Sequence, residues 1–273
     1  MGKRTSNIVV KVGGELVRNQ AVWDLAKELK TLSAQDVRLT LVHGGGPQAT
    51  DLQKQLGQEP NIVGGRRITD KDALLVMKMV VGGLVNVELC AALLASGLSP
   101  VGLHGASALT IQANKRPPRV VSGCGPDPID FGWVGDVVGC NMELLRSLHE
   151  QGHTPVLACL GANKSGDVFN INADIVASQV AKALAADHLV LMTSAPGVLT
   201  DINDLSSRIP TLTRSQAKAA IADGTILGGM IPKIEEAILV MDDGVGAVHI
   251  MGEKGTLSGE ISTPGSVGTA LLP

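Results

Sequence analysis

Apolar positions fall along this chain in two alternating rhythms. Short runs rich in Val, Leu and Ile recur near 7–11, 38–43, 100–103, 119–122, 133–138, 155–160, 188–192 and 247–251. Between most of them, apolar residues return at helical spacing near 20–33, 47–57, 69–95, 141–151, 173–186, 214–222 and 231–243. Strands this short and this apolar suit burial on both faces, with helices serving as right-handed crossovers between parallel neighbours. The pattern therefore predicts an α/β fold around a mostly parallel sheet. Residues 114–140, rich in Pro, Gly and β-formers, interrupt the alternation and predict a hairpin insertion.

Local signals place several helix ends. Thr213-Arg-Ser-Gln216 matches a capping box and Gly224 supplies a stop. Asn172 can cap a helix that carries Asp174 in its first turn, where a carboxylate also suits the positive end of the dipole. The longest apolar region, Ala73 to Ala95, is interrupted by Lys78, Asn86 and Glu88. It reads as a buried helix suited to a subunit interface rather than as a membrane span. No Pro/Ser linker divides the chain, and a change of lobe is expected near 185.

Composition narrows the functional classes. The 273 residues include 44% apolar types but only two Trp, two Phe and no Tyr, so the core must be aliphatic. A formal charge of −3 and the lack of aromatic platforms exclude a nucleic-acid footprint. Cys90, Cys124, Cys140 and Cys159 form no C-x-x-C pair, and the first apolar run, Ile8-Val9-Val10, is cut by Lys11. These features predict a reduced, cytoplasmic protein without a secretory leader. The opening Met-Gly-Lys-Arg-Thr-Ser fits a bare myristoylation pattern, with nothing else pointing to a membrane.

The candidate chemistry sits at three glycine-rich stations: Lys11-Val12-Gly13-Gly14, His43-Gly44-Gly45-Gly46 and Gly228-Gly229-Met230-Ile231-Pro232-Lys233. Glycine lets an anion approach bare backbone N–H groups, and lysine adds a mobile point charge. No stretch reads G-x-x-x-x-G-K-[ST], so any phosphate site is of another design than the P-loop. Lys11 closes an apolar strand, where an unpaired ammonium is costly, so it is expected to reach an anion. Gly44, Gly46 and Ala49 satisfy a relaxed dinucleotide spacing, but the following interval, Pro60 to Arg67, lacks the acidic strand end that NAD binding needs. Arg66-Arg67 offers a guanidinium fork for a carboxylate. Asp174, beyond Asn170 and Asn172, could bridge two lysines, and Lys233 lies in a first helical turn where a cation is disfavoured unless it has a task. His149-Glu150-Gln151-Gly152-His153 matches H-E-x-x-H in letters only, because Gly152 and Pro155 end the helix before both rings can share a face.

In order, the segments KVGGE, HGGGPQ, GGRRIT, the Val-Gly-Asp-Val hairpin, NINAD, PGVL and GGMIPK resemble the amino acid kinase family, and within it most closely the acetylglutamate kinases. The similarity covers nearly the whole chain. It implies a three-layer sandwich with a central, mainly parallel open sheet and two lobes: 1–185 for the acyl amino acid and dimerisation, 186–273 for ATP with nucleotide-borne Mg2+. It implies phosphorylation of the side-chain carboxylate of N-acetyl-L-glutamate, an arginine-biosynthesis step. By matching positions, Lys11 and Lys233 would flank the transferred phosphoryl and Asp174 would organise them. Gly44, Gly45, Arg67 and Asn170 would contact the acyl amino acid, while Gly13, Gly14, Ser194 and Gly229 would meet the nucleotide. Ser194 departs from the family, which generally carries Asp there.

Two alternatives stay open on the sequence. The acceptor could be an acylated or carrier-linked aminoadipate, since one methylene is discriminated by only about 1–3 kcal/mol. Ser194 could also mark a catalytically weak sensor. The resemblance also suggests a homodimer through the apolar 69–95 helix. Arginine-controlled relatives generally carry an extra helix ahead of the first strand and form hexamers, whereas only a short arm precedes Ile8 here. Gly265-Ser-Val-Gly-Thr retains some of the pattern of those relatives, which leaves arginine control open.

Overall fold

A computed structural model describes residues 5–18, 20–121, 124–253 and 255–273. The first four residues, and with them the start of the myristoylation pattern, lie outside the described residues. An eight-stranded sheet runs in the order Thr211–Thr213, Thr269–Leu272, Ala247–Met251, His188–Met192, Ser6–Val12, Val37–His43, Thr154–Ala158, Pro100–Leu103. Every neighbouring pair is parallel except Ala247–Met251 with Thr269–Leu272. The expected mostly parallel α/β sheet is thus present, and it crosses position 185 without a break.

Ser6–Val12 lies at the middle of this sheet. The chain leaves it toward Val37–His43 on one side and returns as His188–Met192 on the other. That reversal of strand order opens a crevice at the carboxyl ends of the three strands, the place where open α/β sheets bind ligands. Ile8, Val9, Val10 and Val12 are fully buried, so Lys11 is the one polar break in a run otherwise committed to the core. The register sets Lys11 beside Val42 and Leu191, at the crevice edge.

A second, four-stranded sheet is formed by Ile111–Lys115, Gly135–Cys140, Leu160–Ala162 and Val168–Asn170. The expected hairpin insertion has its arms at 111–115 and 135–140. The strand read over 155–160 is really two: Thr154–Ala158 belongs to the main sheet and Leu160–Ala162 to the second. Cys159 is the corner between them, its N–H bonded to the His43 carbonyl at 3.2 Å. The run at 119–122 forms only a single bridge, Arg119 to Ile129, and Ser122 lies outside the described residues.

The 69–95 region is a helix from Lys71 to Ala95 whose centre, Val80–Val85, widens to a π-turn. Asp70 caps it by accepting the Ala73 N–H at 2.8 Å. A wide turn rotates the flanking side chains, and here it brings Val80, Val81 and Val85 against the backbone of Gly45. By length and apolarity this helix could cross a membrane, but half of its most apolar window is buried inside the molecule. The other side leaves Leu75, Met79, Leu84, Val87 and Leu94 exposed.

A buried polar knot ties down the far end of the sheet. Glu260 and His249 are both fully buried. Glu260 accepts from His249 Nδ1 at 3.0 Å and from the backbone N–H groups of Gly265, Val267 and Gly268 at 2.8–2.9 Å. Burial alone would raise this carboxyl, but the His249 bond and the three backbone donors outweigh it and bring it from 4.5 to about 2. A depressed folded value means the stabilisation is present above pH 4.5 and is lost as pH falls toward about 2. Glu260→Gln is therefore expected to lower the unfolding free energy at pH 7 by about 2–3 kcal/mol, the usual cost of hydrogen bonds to a charged group. Urea unfolding from pH 7 downward checks this, because the gap between the two proteins must shrink below pH 4.5.

Candidate active site

Three charged side chains from three elements meet at the crevice. Lys11 Nζ lies 2.9 Å from Asp174 Oδ1, and Lys233 Nζ donates to Asp174 Oδ2. Each has a local reason to be there. The Asn172 side chain caps the helix Ala173–Leu184 by accepting the Asp174 N–H at 2.8 Å, which fixes Asp174 in the first turn. Gly228, at φ +57°, turns the chain into the helix Met230–Asp242 and places Lys233 near its start. A cation there opposes the helix dipole, and the Asp174 carboxylate offsets that. Burial would raise the Asp174 carboxyl, but the two ammoniums, by charge and by hydrogen bond, hold it below its ordinary value. Two positive charges against one negative leave a net positive site with an appetite for anions.

The glycine stations pack around this trio. A side chain at Gly13 would sit 3.8 Å from the Met192 carbonyl, and one at Gly44 would sit 3.5 Å from Ala173 Cβ. Gly14 and Gly45 nearly touch: a Cβ on Gly14 would lie 3.1 Å from Gly45 Cα and 2.7 Å from Gln48 Oε1. Gln48 links the two stations by donating to the Gly14 carbonyl at 2.6 Å. The first two stations thus form one bare-backbone wall beside Lys11.

The remaining expected site residues make no bond to the trio among the described residues. Arg67 turns its guanidinium to the helix Gly46–Gln55, donating to Gln53 Oε1, to Thr50 Oγ1 at 2.7 Å and to the Gly46 carbonyl at 3.2 Å. Burial lowers its pKa from the ordinary arginine value. Asn170 donates from its amide to Thr69 Oγ1 at 3.1 Å. Ser194, just past the strand His188–Met192, and Gly229, at the head of the Lys233 helix, are exposed and make no direct bond to the trio among the described residues. The H-E-x-x-H letters are dispersed by geometry. The helix ends at Glu150, His149 Nε2 is held by Thr40 Oγ1 and the Leu39 carbonyl, and His153 Nδ1 faces Ser99 Oγ.

Two contributors had no role in the sequence reading. His43 is fully buried, with Nδ1 3.0 Å from the Gly44 carbonyl and Nε2 2.9 Å from Asn86 Nδ2. Burial brings its pKa down to about 4, so the ring is neutral at ordinary pH. Asn86 was visible only as a polar break in an apolar helix, and such a break signals a buried partner.

Comparison with known proteins bears on this arrangement. The profile of the amino acid kinase family matches residues 6–252. The chain belongs to the amino acid kinase family. A protein named acetylglutamate kinase from Anaeromyxobacter sp. (strain K) is 55% identical over 267 residues, covering 97% of this chain and 98% of the relative. Another of that name from Sorangium cellulosum (strain So ce56) is 50% identical over 271 residues, with 98% and 95% covered. Among solved structures, smu.665 from Streptococcus mutans UA159 superposes with a TM-score of 0.78 at 30% identity, covering 98% of this chain and 99% of that one. The expected three-layer amino acid kinase fold is therefore the fold of this chain.

The contact between Gly14 and Gly45 makes a stability prediction independent of catalysis. Gly14→Ala is expected to cost about 1–3 kcal/mol, the usual range for overpacking a close contact. A thermal melt indistinguishable from wild type would show that the two stations can separate freely.

Proposed function

We propose that this member of the family transfers the γ-phosphoryl of ATP to the side-chain carboxylate of N-acetyl-L-glutamate, in the cytoplasm, as a step of arginine biosynthesis. The observation that carries this reading is the single Asp174 carboxylate holding Lys11 and Lys233 together at the carboxyl end of the central strand. The names of the relatives at 50–55% identity support the choice of acceptor over aminoadipate. Residues 1–185 would bind the acyl amino acid through Gly44, Arg67 and Asn170 and through Gly45, which would stand where the acceptor meets the transferring phosphoryl. Residues 186–273, with Gly13 and Gly14 reaching across, would hold the nucleotide through Ser194 and Gly229.

The chemistry follows from charge. A carboxylate acceptor is already ionised near neutral pH, its ordinary pKa being about 4, so no general base is required. One of its oxygens bonds to the γ-phosphorus while the bond to the ADP oxygen breaks, giving an acyl phosphate and ADP. The obstacle is the approach of one anion to another and the charge spread over the oxygens of a loose transition state. Lys11 and Lys233 offset that charge, Asp174 keeps both ammoniums pointed inward, and bare glycine N–H groups add fixed donors. Bound MgATP supplies the phosphoryl group and a magnesium ion on its phosphates. Ammoniums and backbone donors suit phosphate oxygens and offer nothing to a bare cation, which fits a metal carried by the nucleotide. Ser194 cannot offset lysine charge as Asp would, so Asp174 carries that duty alone.

Coupled ADP release with MgATP and N-acetyl-L-glutamate tests the reading, with acylated aminoadipate as the competitor; no release with the glutamate compound would reject it. Lys11→Ala and Lys233→Ala are each expected to lower kcat by at least about 100-fold, the scale of losing one preorganised charge partner. Wild-type kcat in either variant would remove that lysine from the reacting centre.

The exposed stripe Leu84, Val87 and Leu94 supports a homodimer formed across the Lys71–Ala95 helix. Val87→Arg is expected to shift sedimentation from dimer to monomer, and a monomeric wild type would dismiss that interface.

A further inference from the structure

His43 stands between the core and the glycine wall, and nothing in the phosphoryl-transfer chemistry above uses it. Its environment selects one tautomer by a short chain of necessity. The Asn86 amide nitrogen donates to the Val156 carbonyl at 3.1 Å, which identifies that atom as the NH2 group. The same NH2 faces His43 Nε2 at 2.9 Å, so Nε2 must accept. The remaining ring proton therefore sits on Nδ1, which donates to the Gly44 carbonyl at 3.0 Å. Asn86 has little freedom to turn over, because its Oδ1 lies against Gly102 and accepts from Cys90 Sγ at 3.9 Å.

That bond has a consequence on the other side of the peptide. No peptide bond is cis among the described residues, so the Gly44 carbonyl and the Gly45 N–H point in opposite directions. With the carbonyl turned to the imidazole, the Gly45 N–H faces away from it. Among the described residues it has no acceptor. An N–H whose own carbonyl is engaged by a donor is polarised and becomes a stronger donor in turn. The side of Gly45 where a Cβ would stand is closed by Val81 and Val85, at 3.0 and 3.2 Å, so hydrocarbon backs this part of the wall.

We propose that His43 is a positioning residue for the kinase reaction: its Nδ1–H locks the Gly44–Gly45 peptide so that the Gly45 N–H stands ready for an oxygen of the transferring phosphoryl group. This deepens the kinase reading and rests on it. Asn86 is the residue that sets the histidine tautomer, acting through it on the glycine wall.

Two substitutions separate positioning from packing. His43→Asn keeps an amide donor near the Nδ1 position and gives up the Asn86 contact. His43→Gln reaches Asn86 but has no donor beside the Gly44 carbonyl. Both remove the ring, so both melt below wild type. The proposal expects kcat to fall at least about 10-fold in His43→Gln, a fraction of the effect of deleting an oxyanion donor. His43→Asn should stay within about threefold of wild type, and KM for ATP should hold steady in both. Equal kcat losses in the two variants, or a wild-type kcat in His43→Gln, would overturn it. A second readout needs no turnover: ring nitrogen shifts in the resting protein at pH 7 should show Nδ1 protonated and Nε2 bare, and the Gly45 amide proton should move in His43→Gln far more than in His43→Asn. A ring protonated on Nε2 would overturn the proposal even in an active enzyme. Absence of any turnover by wild type, with these shifts as expected, would instead reject the acetylglutamate assignment.

Discussion

Two ammonium groups do not share a pocket unless something between them offsets their repulsion, and Asp174 does so for Lys11 and Lys233 with one oxygen each. This constraint ties together parts of the chain that are far apart in sequence. It requires the central strand to end beside the head of the Ala173–Leu184 helix, and it requires the Met230–Asp242 helix to aim its first turn at the same spot. The result is a site with one charge unmatched. Such a site is stable enough to fold around and incomplete enough to attract an anion.

The surroundings keep that unmatched charge useful. Buried aliphatic strands exclude water from one side, which strengthens the attraction between lysine and phosphate. The glycine stations let the backbone of two strand ends approach within van der Waals contact, as Gly14 and Gly45 do. Behind them the π-turn at Val80–Val85 presses valines onto Gly45, and Asn86 begins the next helical turn with its amide on His43. The widened turn is thus part of the site's support: it brings both the hydrophobic backing and the polar anchor to one peptide. The Glu260 knot plays a comparable part beside the antiparallel pair of the sheet, where three backbone N–H groups meet one carboxylate.

Periodicity and ordered motifs were enough to read the parallel core, the hairpin insertion, the capping box at Thr213 and the Asn172 cap, because these depend on residues within a few positions of each other. The capping box and the Asn172 bond appear in the structure as the local chemistry requires. The reading failed where a distant partner decides. The apolar run at 155–160 looks like one strand, yet Cys159 is a corner: its N–H ends the ladder on the His43 carbonyl, while its own carbonyl accepts from the distant Ile171 N–H. The π-turn was illegible for the same reason, since Val-Val-Gly-Gly-Leu-Val is compatible with a plain helix until Gly45 arrives against it. Arg67 was legible as a guanidinium fork, while its attachment to Gln53, Thr50 and Gly46 depends on how the neighbouring helix sits.

By itself the sequence determined the fold class and the kind of ligand, since strand burial, glycine and lysine each carry a fixed physical preference wherever they stand. Only the tertiary structure decided that Lys11 and Lys233, 222 positions apart, converge on one carboxylate, and that a buried histidine is wired to the glycine wall. The reason is that hydrophobic patterning acts over a few residues, whereas electrostatic partnership and tautomer choice depend on distances of about 3 Å that exist only once the chain is packed.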